Sequence, residues 1–221
     1  YTLSLDVCSS DRFLCISGNP LNRGHELIAF MAMKELGLDT VAIRVQGIIN
    51  YKNLYASERV SIEDRHFMVR RSIEGYFPLL RYTDLGSEKE ADGSDNQREG
   101  AEEMHRLLAM NADRKVHVYY LIGAENEERM WKYMRQQYEM MQRFGYGNNS
   151  NHRITFAVIQ RGEYGKTVTE EDLLTISQTI QHEMGVEIPL DVALVKDPDI
   201  DLNVSSTYYR NSRDGAFVPL V

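Results

Sequence analysis

Residues 13–33 read FLCISGNPLNRGHELIAFMAM, and they carry the clearest structural signal in the chain. The apolar run at its start predicts a buried strand, Asn19 and Pro20 predict a turn, and Gly24 and His25 open an amphipathic helix. A helix N-terminus presents free backbone N–H groups and the positive end of the helix dipole, and both favour an anion. The stretch therefore predicts a strand, a turn and a helix, with an imidazole at a candidate phosphate site.

The rest of the chain alternates between strand-like and helix-like runs. Strands are predicted at 12–17, 41–46, 115–126, 153–161 and 186–195, and helices at about 24–37, 62–76, 127–144 and 169–184, with a further helical stretch before residue 115. This βαβ order is typical of an α/β, Rossmann-like, doubly wound sheet that is mostly parallel and has helices on both faces. Ligands of such sheets bind at the carboxyl ends of the strands, where the Asn-Pro turn falls.

Length and charge narrow the class of protein. With 221 residues and 43% hydrophobic content, the chain is expected to form one core domain over 1–221. The charged, turn-rich stretch at about 84–103 predicts a mobile acidic loop, and its acids lack the spacing of a metal site. A net charge of −8 argues against a broad nucleic-acid-binding face but is compatible with a local cationic pocket for a small anion.

The number of cysteines and the lengths of the apolar runs bear on where the protein is located. The 2 cysteines, Cys8 and Cys15, are too few for a disulfide scaffold, and no Cys/His spacing resembles a zinc site. No apolar run reaches the roughly 18 residues of a membrane span. We expect a cytoplasmic protein, with the nucleus as an alternative. Because the sequence begins with Tyr1 rather than Met, removal of a targeting segment stays an open alternative.

The segment VSSTYYR, residues 204–210, places two kinds of phosphate ligand together. Its Ser and Thr hydroxyls can cap a helix while Arg210 lies one turn further on, so both can face one anion. Almost the whole chain separates this segment from His25. We therefore predict that the fold brings His25 and Arg210 to the two ends of one triphosphate site.

Several motifs in one order resemble a known superfamily. SGNPLNRGH at 17–25, YLIGAEN at 120–126 followed by Trp131, VIQRG at 158–162 and VSSTYYR resemble the HxGH-type nucleotidyltransferases, and within them the nicotinamide or nicotinate mononucleotide adenylyltransferases. The resemblance implies transfer of AMP from ATP to a pyridine mononucleotide, with Mg²⁺ carried by the ATP phosphates. It implies ATP and the mononucleotide as partners, with no nucleic acid and no membrane, and it allows a homo-oligomer.

The resemblance also implies the ATP-binding residues. His25 matches the second His of the motif, Asn22 stands where the first would be, and Arg210 matches the late Arg, so these three are the catalytic candidates. ATP binding is implied for Ser17, Gly18, Asn19, Gly24, His25, Gly123, Glu125, Arg161, Ser205, Ser206, Thr207 and Arg210. The chain departs from the pattern at Ile16, which replaces a Gly, at Gly18, which replaces an aromatic residue, and at Glu125, which replaces Asp.

The acceptor side rests on fewer residues. Tyr51, Lys52 and Arg59 resemble the residues beside the mononucleotide phosphate, and Trp131 resembles the Trp that stacks on the pyridine ring. Each also has a structural alternative: an exposed cation for Lys52 and Arg59, a core residue for Trp131. Two alternative functions stay open, a nucleotidyltransferase for another phosphorylated acceptor and a non-catalytic nucleotide-binding homologue. A plain structural α/β domain is the third alternative.

Overall fold

The computed structural model describes residues 10–16, 18, 21–47, 60–85, 87, 99–124, 127–145, 151–160, 168–187 and 189–196. The strands are β1 Ser10–Ile16, β2 Val41–Val45, β3 Leu80–Thr83, β4 Val116–Gly123, β5 His152–Ile159 and β6 Asp191–Val195. The helices are α1 Arg23–Leu36, α2 Ile62–Ile73, α3 Gly100–Ala109, α4 Glu127–Arg143 and α5 Glu170–Met184.

The six strands form one parallel sheet in the order β3-β2-β1-β4-β5-β6. On one side of β1, Cys15 lies opposite Arg44 of β2, and on the other side Phe13 lies opposite Tyr120 of β4. The direction of winding therefore reverses between β1 and β4, and the crevice outside their carboxyl ends is where such sheets bind ligands. The predicted α/β, doubly wound fold is confirmed.

Helices cover both faces of the sheet, as predicted. α1 and α2 pack on one face around Ile28, Met31 and Val69, whereas α3, α4 and α5 pack on the other around Leu108, Met134 and Ile176. Residues of β5 alternate between the two cores, as the pleat requires: Phe156 and Val158 face α4 and α5, and Ala157 and Ile159 face α1. The interior strands are thus apolar on both sides.

Local capping signals set the ends of two helices. α1 begins after Asn22 and ends at Gly37, which has a φ of 63°. α5 begins after Thr169, whose hydroxyl accepts a hydrogen bond from the backbone N–H of Asp172, so the cap predicted at Thr169 is confirmed. Among the described residues, no helix has the length and apolarity to span a membrane.

The structure corrects the sequence-based boundaries in three places. Strand β3, Leu80–Thr83, was not predicted, because four residues at the sheet edge carry too short an alternation to recognise. α3 begins at Gly100, so the end of the loop predicted at 84–103 is wrong: its last four residues are helical. Only Asp191–Val195 of the region 186–195 is strand, since the extended pairing with β5 is limited to those residues.

Candidate functional site

The carboxyl ends of β1 and β2 stay joined beyond the last residue of the strands. The backbone N–H of Gln46 donates to the carbonyl of Ile16 over 2.7 Å. On the other side of the crevice, the backbone N–H of Ala124 donates to the carbonyl of Ile159 over 2.7 Å. On both sides of the switch point, backbone hydrogen bonds therefore continue past the strand ends.

Asn22 and His25 form a reciprocal cap at the start of α1. Oδ1 of Asn22 accepts from the backbone N–H of His25 over 3.2 Å, and the backbone N–H of Asn22 donates to Nδ1 of His25 over 3.2 Å. Because Nδ1 is an acceptor, a neutral His25 carries its proton on Nε2. The cap thus fixes one tautomer of an imidazole that lies at a helix N-terminus beside the switch point.

This cap also assigns a local role to Asn22. The side chain is 8% exposed, and its oxygen bonds to the helix rather than facing outward. The observed role of Oδ1 of Asn22 is therefore structural, because it caps the helix. A contact between Asn22 and a phosphate stays a prediction.

Gly18 is held in a conformation that requires glycine. Its φ is 62°, and a Cβ at this position would lie 3.1 Å from side-chain atoms of both Val45 and Val69. The resemblance implies an aromatic residue here. In this chain, Val45 of β2 and Val69 of α2 close that space, so Gly18 packs directly against both.

The first turn of α1 also holds a buried carboxyl. Glu26 is 6% exposed, and burial raises its pKa, while the charge of Arg23 opposes the shift. Gly24 is buried beside it.

On the other side of the crevice, Gly123 ends β4 and Trp131 lies in the second turn of α4. Gly123 is buried, and Trp131 is partly buried and packs against the core formed by α3, α4 and α5. Part of the Trp131 side chain therefore acts as a core residue, as the structural alternative predicted. Stacking of Trp131 on a pyridine ring stays a prediction.

Many predicted site residues lie outside the described residues: Ser17, Asn19, Pro20, Tyr51, Lys52, Arg59, Glu125, Arg161, Ser205, Ser206, Thr207 and Arg210. The predicted meeting of His25 with Arg210 is therefore untested. Within the described residues, the fold brings Gly18, Asn22, Gly24 and His25 to one strand-helix junction. Gly123 lies on the adjacent strand, at the same edge of the sheet.

Sequence reasoning missed a buried polar group behind this junction. Arg44 of β2 is fully buried and lies opposite Cys15 of β1. Burial raises the pKa of the Cys15 thiol to about 11, although Arg44 lowers it in part, so the thiol stays protonated. The signal was present in the sequence: Arg44 is the one charged residue in the otherwise apolar strand VAIRV.

A second missed group lies on α2. Nη1 of Arg65 donates to the carbonyl of Gln46 over 2.5 Å, and Nη2 donates to the carbonyl of Gly47 over 2.9 Å. Beside it, Nδ1 of His66 lies 2.6 Å from the hydroxyl of Tyr82. Burial lowers the pKa of His66 to about 4, and the charges of Arg65 and Arg44 lower it further, so this imidazole is neutral.

A cavity of about 490 Å³ lies at the opposite edge of the sheet, where β4, β5 and β6 begin. Its lining includes His117, Tyr119, Thr155 and the ion-paired Arg153 and Asp191. None of the predicted site residues lines it, and we place the candidate site at the switch point instead. Among the described residues, no group of three or more His, Cys, Asp or Glu is arranged to hold a metal ion.

The described architecture is a parallel sheet of order β3-β2-β1-β4-β5-β6 with an Asn-capped helix after β1, and it is similar to that of solved structures. Two matching solved structures are of Plasmodium falciparum nicotinic acid mononucleotide adenylyltransferase, one complexed with APC and one with NaAD. Their TM-scores are 0.58 and 0.59, their identities 12% and 13%, and each match covers 92% of this chain and 83% of the other. At this identity the likeness shows the fold, and it confirms the predicted resemblance at that level.

Comparisons by sequence give no match. No protein-family model matches the chain, and neither does any curated protein. The resemblance therefore depends on short motifs and on the fold.

Proposed function

We propose that this protein transfers AMP from ATP to the phosphate of nicotinate or nicotinamide mononucleotide, forming the dinucleotide and pyrophosphate. The observation that carries the proposal is the reciprocal Asn22–His25 cap at the switch point of a 3-2-1-4-5-6 sheet. It presents an Nε2–H donor and a helix N-terminus at the edge of the sheet where nucleotides bind. In further support, the neighbours in fold carry the name of that activity.

The chemistry needs positioning more than proton transfer. A phosphate oxygen of the mononucleotide is already ionised near neutral pH, so it can attack the α-phosphorus of ATP without a general base while the bond to pyrophosphate breaks. The negative charge that accumulates on the leaving pyrophosphate must be offset by hydrogen-bond donors and cations. We assign this role to His25, with Arg210, Ser206 and Thr207 as proposed partners, and to Mg²⁺ that arrives bound to the ATP phosphates.

The acceptor is proposed to bind beside the carboxyl end of β2. Tyr51 and Lys52 follow that strand in sequence and are assigned to the mononucleotide phosphate, with Arg59 as a further cation. Trp131, in the second turn of α4, is assigned to the pyridine ring. The neighbours named for nicotinic acid mononucleotide favour the acid form of the acceptor as the first to test.

The direct test is turnover. The protein is incubated with ATP, Mg²⁺ and each mononucleotide, and dinucleotide and pyrophosphate are measured by chromatography and a coupled assay. We expect both products in equal amounts, and a loss of roughly two orders of magnitude or more in kcat for His25→Ala, the scale of losing one transition-state donor. His182→Ala, on the exposed side of α5, is the matched control and should keep full activity. Absence of both products with both mononucleotides would overturn the proposal.

One observation favours a different acceptor as the second candidate. A Cβ at Gly18 would lie 3.1 Å from Val45, the last residue of β2, and the acceptor is proposed to bind beside the carboxyl end of that strand, so this departure from the resemblance also reaches the acceptor side. The ATP half of the site could then serve another phosphorylated acceptor. A panel of phosphorylated acceptors, with pyrophosphate release as the common readout, separates the two candidates. ATP binding in calorimetry without release from any acceptor would instead indicate a non-catalytic homologue.

A further inference from the structure

Strand β6 lies at one edge of the sheet. Among the described residues it pairs with β5 alone. The backbone N–H of Gln160 donates to the carbonyl of Val195 over 2.9 Å, so the odd-numbered residues of β6 direct their backbone groups toward β5. The backbone N–H and C=O groups of Val192 and Leu194 therefore point away from the sheet, where a further strand would meet them.

The sequence of β6 lacks the features that usually keep sheet edges apart. The strand reads DVALV, with one charged residue at its first position, and its register with β5 runs without a bulge. An edge of this kind, without Pro or Lys inside the strand, is a template for another strand. The opposite edge differs, because β3 has only 4 residues, lies just after Pro78 and carries the exposed Arg81. The two edges therefore indicate that β6, rather than β3, accepts a partner.

A groove with apolar walls follows β6. The cavity of about 490 Å³ at the start of β4, β5 and β6 extends along this strand, and its walls include Val192 and Ala193 together with Leu174 and Gln178 of α5. Leu174 is 42% exposed although its side chain is apolar. Val192, Ala193 and Leu194 are only partly buried. Apolar side chains of a helix and a strand thus lie exposed beside the outward backbone groups.

A second copy of β6 complements this edge in shape. In an antiparallel pair centred on Ala193, Val192 of each strand lies opposite Leu194 of the other, and all five residues of each strand are paired. The outward groups of Val192 and Leu194 are then the ones that exchange hydrogen bonds, and the two side chains form an apolar cross-strand pair. Ala193 meets its own copy at the axis, where Cα atoms approach to about 4.5 Å and a small side chain fits.

The two ends of β6 carry opposite charges. Asp191 is the first residue of the strand, and the exposed Lys196 follows its last residue. Asp191 also pairs with Arg153 of β5, so a further cation lies at the same end. Antiparallel pairing brings the start of each strand beside the end of the other and so places acid near base twice, whereas parallel pairing would bring like charges together. The charges therefore favour a second copy in the antiparallel direction.

We propose that this protein forms a two-fold dimer in which β6 pairs antiparallel with β6 of a second copy, so that one continuous sheet runs through both subunits. The two copies of α5 then lie side by side on one face of that sheet, and Leu174 of each becomes buried with Val192 and Leu194. A two-fold contact of this kind closes after two copies and leaves no β6 edge exposed.

The first test measures the mass of the full chain in solution by sedimentation equilibrium over a hundredfold range of concentration. We expect twice the mass of the chain at the upper end of the range. Val192→Pro removes an outward N–H without affecting the bonds to β5, and Leu174→Glu places a charge in the interface. Since each change occurs twice per dimer, each should weaken dimerisation at least tenfold, with a melting temperature of the monomer within a few degrees. Thr175→Glu, an exposed residue of α5 that does not line the groove, is the matched control and should dimerise normally.

Hydrogen exchange locates the contact. The amides of Val192 and Leu194 should exchange slowly at high concentration and faster on dilution or in Leu174→Glu, whereas the amide of Tyr82 in the opposite edge strand should not respond. A monomer at every concentration, or a dimer that Val192→Pro and Leu174→Glu both leave intact, would overturn the proposal. Slow exchange of Val192 and Leu194 that is independent of concentration would also overturn it, because another segment of the same chain would then cover β6.

Discussion

Asn22 and His25 hold each other through two reciprocal hydrogen bonds of 3.2 Å, one in each direction between a backbone N–H and a side chain. One bond stabilises the start of α1, and the other orients the imidazole. A helix cap and a candidate catalytic group are therefore parts of a single local structure. Substitution of either residue should therefore change both the stability of the protein and its activity.

Asn22→Ala should cost about 1 kcal/mol of stability, the usual value of an N-cap side chain, and should also lower kcat. Asn22→Ser restores a cap oxygen and leaves the backbone bond to Nδ1 in place. We therefore expect Asn22→Ser to recover most of the stability and of the turnover, measured by urea unfolding and by pyrophosphate release. Loss of turnover in Asn22→Ser at full stability would instead assign Asn22 a direct contact with substrate.

Gly100→Ala should destabilise the protein by about 1–3 kcal/mol, the range for forcing atoms into a packed site. A Cβ at Gly100 would lie 2.1 Å from Sγ and 2.9 Å from Cβ of Cys15. Gly75→Ala is the control, because nothing lies within 4 Å of its added Cβ. Adding Cys15→Ala should recover part of the loss by removing Sγ. Equal unfolding free energies for the two glycine variants would contradict this close approach.

Stability should fall between about pH 6.5 and pH 4, because neutral histidines are buried. Burial lowers the pKa of His105 to about 4, with His152 lowering it further, although the hydrogen bond to Gln137 opposes the shift. In the unfolded chain, the imidazole of His105 is therefore protonated near pH 6.5, whereas in the folded protein it stays neutral down to about pH 4. The stability present above pH 6.5 is lost as the pH falls toward 4. By pH 5.5 we expect the protonation of this residue in the unfolded chain to have cost about 1.4 kcal/mol of stability.

This pH dependence can be assigned by substitution. Urea unfolding at pH 7.5, 6.5, 5.5 and 4.5 should show a shallower decline in His105→Gln than in the unsubstituted protein. His182→Gln, at an exposed position of α5, should follow the unsubstituted protein. A parallel decline in His105→Gln would show that other groups cause the acid sensitivity.

Tyr138→Phe should cost about 1–3 kcal/mol, because it leaves a buried donor without its acceptor. The hydroxyl of Tyr138 accepts from the backbone N–H of Leu190 over 3.0 Å and lies 2.8 Å from Oγ of Ser177. These bonds join α4, α5 and the approach to β6. A double-mutant cycle with Ser177→Ala measures the coupling, which we expect to be at least 0.5 kcal/mol. Additive losses would show that the hydroxyls act independently.

The prediction of the fold succeeded where the signals are local. The strand and the helix within residues 13–33 and the cap at Thr169 depend on residues that lie close together in the chain. Strand β3 escaped prediction because its four residues become a strand only when β2 is there to pair with them. The start of α3 was misplaced since charged residues on both sides of Gly100 hide the boundary.

The candidate site divides in the same way. His25 and Asn22 could be selected from the sequence because they lie three positions apart in one motif at the start of a helix. The hold of Arg65 on Gln46 and Gly47 could not, since it joins groups 19 and 18 positions apart through the packing of α2 on β2. The burial of Arg44 against Cys15 likewise depends on the register of two neighbouring strands.

By itself the sequence determined the alternating elements, the parallel α/β class and the imidazole at the start of α1, because periodicity and capping act over a few residues. Only the tertiary structure decided the strand order, the close approach of Gly100 to Cys15 and the anchoring of β2 by Arg65. The physical reason is that these contacts form between segments that meet through packing, and a linear pattern does not encode which surfaces will meet.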